Sequence, residues 1–290
     1  MRNVKFLIVI PSIIIALLAI FFVLMSENTL VFHPEGVVAR SELELIITNI
    51  ILMLIIIVPT YILLFAVVYK YCIKKKNAKY DPDHTFGPIG ELLMWGIPSV
   101  IVVVMAIVTW DATHKLNPYK PLESENKPLT VQVVAMDWKW LFIYPELGIA
   151  TLNYFHIPER TPIHLRLSAD GSPMNSFWIP QLSGQIYSMT GMSTQLYLMA
   201  DRPGEYMGRA VEINGEGYAD MTFPVKSSSL KDFEAWVSEA KKSPLHLTED
   251  SYNELVQPSV NKSIIFFSEV EKDLYHKIIH KYMYPTKPVL

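Results

Sequence analysis

The sequence is short of cysteine. One thiol, Cys72, in 290 residues excludes a disulfide framework and every zinc site that needs two or more thiolates. It is also short of charge. Charged residues make up 18% of the chain, against roughly a quarter in ordinary soluble domains. The net charge of −3 offers nothing to a polyanionic partner, so nucleic-acid binding is not expected. No internal repeat and no low-complexity tract is present. The apolar share of 51% excludes intrinsic disorder.

The apolar residues are concentrated in three uncharged runs. Phe6 to Met25 spans 20 residues, Leu45 to Tyr69 spans 25 and Leu92 to Trp110 spans 19. As helices they reach about 30, 37 and 28 Å, close to the roughly 30 Å of a hydrocarbon core. Soluble helices need a polar face, so the second and third runs are read as a transmembrane hairpin within residues 40–112. The first run follows Arg2 and Lys5 and is either a signal segment (1–25) or a retained helix. No small-x-small cleavage pattern stands at Leu24, Met25 and Ser26, which favours retention. Lys70, Lys74, Lys75, Lys76 and Lys79 lie between the second and third runs, whereas Ser26 to Glu44 offers only Arg40. Lysine and arginine mark the cytoplasmic side, so the 70–91 loop is expected inside and everything after Trp110 outside.

The outer region reads as β first and α later. Strand-like runs at Thr130–Met136, Trp138–Tyr144, Ile163–Ser168, Thr194–Met199 and Ala219–Val225 are separated by Pro, Gly, Asp or Asn. This spacing predicts a sandwich or barrel over residues 125–226. Ser229-Leu-Lys-Asp232 is a capping-box pattern, and Leu230, Phe233, Trp236, Val237 and Ala240 then keep helical spacing. Leu274, Tyr275, Ile278, Ile279 and Tyr282 repeat it, with an extended Ile264–Phe267 between them. Residues 227–290 are therefore expected to form a mainly helical, aromatic-rich extension.

Three stretches narrow the reading. They are Asp137-Trp-Lys-Trp-Leu-Phe-Ile-Tyr144, Asn175-Ser-Phe-Trp-Ile-Pro180 and the run from Gly204-Glu-Tyr-Met-Gly-Arg to Tyr-Ala-Asp-Met221. Together, and in this order, they resemble subunit II of the haem–copper respiratory oxidases, over roughly residues 40–283. The resemblance implies a cupredoxin sandwich on the outer side of the membrane. In the cytochrome c oxidase branch that sandwich holds the dinuclear CuA centre. Here the positions of its histidine and cysteine ligands carry Asn175, Ala210, Asn214 and Tyr218. Only Glu212 and Met221 of the ligand pattern remain.

The same loss follows from the residue types. A cupredoxin electron-transfer copper needs a thiolate. Cys72 is expected across the bilayer from the β region, and none of the eight histidines falls at Asn175 or within 210–221. His156 and His164 lie in strand-like stretches and are read as structural. The outer domain is thus expected to carry no metal and no cofactor of its own.

A cupredoxin shell without copper resembles the quinol oxidase branch, the cytochrome o type, as does the aromatic-rich tail. Quinol delivers electrons from within the bilayer, so no outer copper relay is needed. The resemblance then implies subunit II of a proton-pumping ubiquinol oxidase in the bacterial inner membrane. Its partners would be the large subunit carrying the haems and CuB, and other small membrane subunits; docking of cytochrome c is not expected. Trp138, where electrons arrive in copper-bearing relatives, is read as structural, as are Trp140, Trp178, Glu212 and Met221. Catalytic residues are not expected in this chain. Glu91, in Glu-x-x-x-Trp-x-x-Pro at the start of the third run, looks like the carboxylate that feeds protons to the large subunit. Its other reading is an interfacial charge near a helix N-terminus. Thr48, Asn49, Pro59, Thr60, Gly96, Pro98 and Ser99 interrupt the spans and suit helix contacts with that subunit. A different class remains open: a membrane-anchored cupredoxin-like binding or assembly module.

Overall fold

The computed structural model describes residues 29–70, 87–172, 174–260 and 263–283. The first apolar run, Cys72, the lysines at 74–79 and the last seven residues lie outside them. The chain divides into two compact units, Glu42–Asn117 and the rest.

The smaller unit is built on two helices. Helix α1 is Val37–Lys70 and helix α2 is Gly87–Lys115, 34 and 29 residues. At 1.5 Å per residue they are about 51 and 44 Å long, enough to cross a membrane. An apolar run makes a helix in lipid because only internal hydrogen bonds can satisfy its backbone. The polar side chains follow the same rule. Thr48, Thr60, Ser99 and Thr113 each donate to the carbonyl four residues back, at 2.7–2.8 Å. Both helices extend beyond the uncharged runs at each end.

The larger unit is a β-sandwich. Its strands are β1 Leu129–Met136, β2 Lys139–Tyr144, β3 Ile149–Leu152, β4 Phe155–Pro158, β5 Ile163–Ala169, β6 Met174–Trp178, β7 Ile186–Met189, β8 Thr194–Leu198, β9 Gly204–Ala210 and β10 Thr222–Ser228. Later in the chain come β11 His246–Leu247, β12 Ile265–Phe267 and β13 Glu269–Val270. One sheet runs β12-β3-β2-β1-β5-β8 and the other β4-β10-β9-β6-β7. Strands β1 and β5 are parallel, as are β4 and β10. Between the sheets lie Trp140, Phe142, Phe155, Phe177 and Phe223. Phe142 stacks on Phe155 at 4.8 Å, and Phe177 on Phe223 at 5.4 Å.

Strand β2 explains the extension. All six of its residues are buried. Alternation puts Trp140, Phe142 and Tyr144 in the inter-sheet core. Leu141 and Ile143 then point the other way, and the extension covers them. Helix α3, Leu230–Ala240, starts at Ser229, whose hydroxyl accepts from the Asp232 amide at 3.2 Å. Helix α4 is Glu249–Leu255 and helix α5 is Leu274–Met283. Tyr252, Leu274, Tyr275, Ile278 and Ile279 close over Val134, Met136, Leu141 and Ile143.

Several elements differ from the sequence expectation. Strands β3, β6, β7 and β9 were not expected; most hold four or five residues and carry polar side chains, whereas β4 holds His156 in the extended stretch expected for it. The 219–225 strand is displaced, because Tyr218–Asp220 forms a 3-10 turn and pairing starts at Thr222. Helix α4 lacks an apolar period and is fixed by its Thr248 cap and by Tyr252. Strand β12 pairs with β3, so the extension completes the larger sheet.

Candidate functional site

The ligand-position residues sit at one end of the sandwich. Asn175 is on β6 and Ala210 ends β9; Asn214, Tyr218 and Met221 belong to the connection that returns to β10. Backbone bonds hold that connection. Ala210 N–H donates to Met221 O at 3.0 Å and Val211 N–H to Ser176 O at 3.2 Å. Tyr218 N–H donates to Gly215 O at 3.3 Å, and Met221 N–H to Tyr218 O at 3.1 Å. Asn175, Ala210 and Met221 are buried, while Asn214 and Tyr218 are half-buried.

Asn175 and Asn214 meet. The Asn214 amide Nδ2 donates to Asn175 Oδ1, and also lies 3.4 Å from Met221 Sδ. An amide pair, a methyl group, a phenol and one thioether do not fit redox copper, which needs thiolate and imidazole donors. Among the described residues, no group of three or more His, Cys, Asp and Glu could hold a metal ion.

Trp138 lies beside this connection. It turns the β1–β2 hairpin with φ of 61°, a backbone region that costs a bulky residue about 1–3 kcal/mol. Its indole rests on glycines. A Cβ on Gly217 would stand 2.3 Å from Trp138 Cγ, and one on Gly215 3.0 Å from Cζ2. Trp140 is fully buried, edge-on to Phe177 at 5.4 Å and to Phe223 at 5.6 Å. Trp178 lies half-buried opposite Arg209 across β6 and β9. Glu212 is half-buried in the same connection, next to the exposed Ile213.

The two histidines have local partners. His156 is buried, its Nε2 2.8 Å from Ser228 Oγ and its ring 4.6 Å from Trp236. Burial, with Lys226 adding to it and Asp232 opposing, lowers its pKa to about 4. His164 stacks on Tyr197 at 4.5 Å, with Nε2 3.0 Å from Gln195 Oε1. Glu91 lies in the first turns of α2, in the other unit, and is exposed, as is Trp95; Pro98 is half-buried.

Sequence reasoning missed two charged anchors. Asp170 is 1% exposed and accepts from Tyr252 at 2.7 Å, Tyr282 at 2.5 Å and Lys281 at 2.9 Å. Lys139, also buried, donates to Leu255 O and Gln257 O at 2.7 Å and to Ser259 Oγ at 2.8 Å. Burial lowers the Lys139 pKa, with Asp137 opposing. Burial also raises the carboxyl of Asp137, which Lys139 opposes and Asp170 reinforces. Their partners are 82 to 120 residues away, so no local pattern announced them.

The family follows from comparison with known proteins. The chain is 43% identical over 251 residues to cytochrome bo(3) ubiquinol oxidase subunit 2 of Pseudomonas aeruginosa, covering 87% of this chain and 76% of that protein. The chain belongs to the ubiquinol oxidase subunit 2 family. It is also 43% identical to ubiquinol oxidase subunit 2 of Acetobacter aceti, with 87% of this chain and 82% of that one covered. Residues 241–286, most of the extension, match the family model described as COX Aromatic Rich Motif. A solved structure, the periplasmic domain of subunit II of cytochrome oxidase of Bradyrhizobium japonicum, aligns with a TM-score of 0.39 at 20% identity. That alignment covers 42% of this chain and 98% of that one. The quinol oxidase assignment read from the sequence therefore holds, and the expected sandwich is present as two facing sheets.

Proposed function

We propose that this chain is the copper-free subunit II of a proton-pumping enzyme that oxidises two ubiquinols and reduces one O2 to two waters. The observation that carries the reading is family identity with ubiquinol oxidase subunit 2, joined to an Asn175–Asn214 amide pair where a relay copper would need thiolates. Electrons enter from quinol in the membrane. Oxygen chemistry belongs to the partner large subunit with its haems and CuB, and this chain holds no catalytic residue. Its two helices pack on that subunit in the bacterial inner membrane. Its sandwich and extension face the periplasm and cap the outer side. Trp138, Trp140, Trp178, Glu212 and Met221 serve structure.

Glu91 is the proton-uptake carboxylate in this reading. It stands at the start of α2, next to a lysine-rich stretch that marks the cytoplasmic side. A carboxylate at that boundary takes protons from water and hands them to a polar path in the partner.

The test is a purification of the membrane complex through a tag on this chain. Oxygen consumption is then measured with ubiquinol and with reduced cytochrome c, and copper is counted. Quinol activity with one copper per complex is expected. Cytochrome c activity with three coppers refutes the ligand argument. Purification without haem moves the assignment to a free-standing module.

A further inference from the structure

The amide pair leaves polar atoms bare. Asn175 Nδ2, Asn214 Oδ1 and Ser188 Oγ are buried and have no hydrogen-bond partner among the described residues. Asn175 and Ser188 are both fully buried and face each other across β6 and β7. Directly opposite residues project to the same face, with Cβ atoms about 4.5–5.5 Å apart. Asn214 is bonded to Asn175. The three orphan atoms therefore belong to one contiguous group centred on Asn175, which faces Ser188 across the strand pair and bonds Asn214. Buried polar groups left unpaired are costly, and native interiors satisfy them with protein or with ordered water.

We infer that this group is a built site for one structural water, which bridges β6, β7 and the connection from Ala210 to Met221. The donor set selects the occupant. Asn175 offers an N–H, which repels a cation. Asn214 offers a carbonyl oxygen, which repels an anion. Ser188 can donate or accept. Only a small neutral molecule that both donates and accepts satisfies all three, and a buried water typically makes about three such bonds. Reversing both amides exchanges their roles and leaves the same set of one donor and one acceptor. Met221 Sδ, 3.4 Å from Asn214 Nδ2, accepts from the same amide that bonds Asn175. The water adds one hydrogen-bonded link between the strands and the connection. The inference rests on this geometry and is independent of the electron donor.

The experiment is a density map of the intact complex, at a resolution that shows other buried waters of the domain. A single spherical feature is expected at about 2.7–3.2 Å from Asn175 Nδ2, Asn214 Oδ1 and Ser188 Oγ. In a second arm the complex is incubated with Cu(II) or Zn(II) and washed. Its metal content is expected to stay unchanged. Amide exchange at Asn214 and Gly215 is expected to rise in Ser188→Ala, which removes one partner of the water, and to stay at wild-type rate in Ser183→Ala. An empty point in such a map overturns the inference. So does a feature at metal-to-oxygen distances of about 2.0–2.2 Å, or metal uptake that Asn175→Ala abolishes.

Discussion

Replacing Asp170 by alanine is expected to free the C-terminal helix while leaving the sandwich folded. Asp170 stands on the turn after β5, and its carboxylate is 1% exposed. It collects the hydroxyls of Tyr252 on α4 and Tyr282 on α5, and the ammonium of Lys281. Removing one partner of a buried charged pair costs about 3–5 kcal/mol. Lys281 is 51% exposed and regains water, so the lower end applies, about 3 kcal/mol. At 1.4 kcal/mol per tenfold this is roughly a hundredfold in the opening equilibrium of α5. The assay is amide hydrogen exchange in the intact complex. The amides of Leu274–Met283 should exchange about two orders of magnitude faster, while those of β1 and β2 keep their rates. The same change should lower the raised pKa of Asp137, because it deletes the Asp170 charge beside it. Unchanged protection of α5 would refute the reasoning. The apolar contacts of Tyr275, Ile278 and Ile279 would then hold the helix unaided.

Gly217→Ala places a Cβ 2.3 Å from Trp138 Cγ, so the indole must leave its seat. A loss of about 2–3 kcal/mol is expected, read as a lower melting temperature with altered tryptophan emission. His156 ties stability to pH. Its folded pKa of about 4 lies below the ordinary 6.5, so stability is full above 6.5 and is lost as pH falls toward 4. That gap corresponds to about 3 kcal/mol, reduced to about 2 by solvent screening around Lys226 and Asp232. His156→Gln should flatten the denaturant midpoint across this window. Glu91→Ala should slow quinol-driven turnover several-fold with assembly intact, and a wild-type rate would end the proton-uptake reading.

What could be read from the sequence depends on the range of the interactions. The spans were legible because lipid admits only one backbone solution for an apolar run. The lack of thiolate and imidazole donors at this end was legible because Asn175, Ala210, Asn214 and Tyr218 show their side-chain types directly. Helix α3 was legible through its Ser229 cap. Strands β6, β7 and β9 were not, because each is stabilised by neighbours in the sheet. Met174-Asn-Ser-Phe-Trp178 has a polar centre that reads as a loop, and it is a strand because β7 and β9 flank it. The anchors at Lys139 and Asp170 were hidden for the same reason. Lys139 reads as a solvated charge between two tryptophans until the carbonyls of Leu255 and Gln257 reach it.

The end that carries Asn175 and Asn214 has to stay ordered, and the magnitudes indicate how. One amide–amide bond between Asn175 and Asn214 contributes a net stability of only about 1 kcal/mol. It cannot by itself hold the connection from Ala210 to Met221. Backbone bonds tie that connection across its own base at Ala210–Met221 and to strand β6 at Val211–Ser176. Trp138 closes it from the side, on a floor that only glycine permits at Gly217. The left-handed backbone at Trp138 costs energy that a solvent-facing turn would shed by mutation to glycine or asparagine. Its persistence follows from the large indole surface set against Gly215 and Gly217. The order of this end therefore comes from side-chain packing and backbone pairing. A domain arranged this way holds that end in shape through its own contacts.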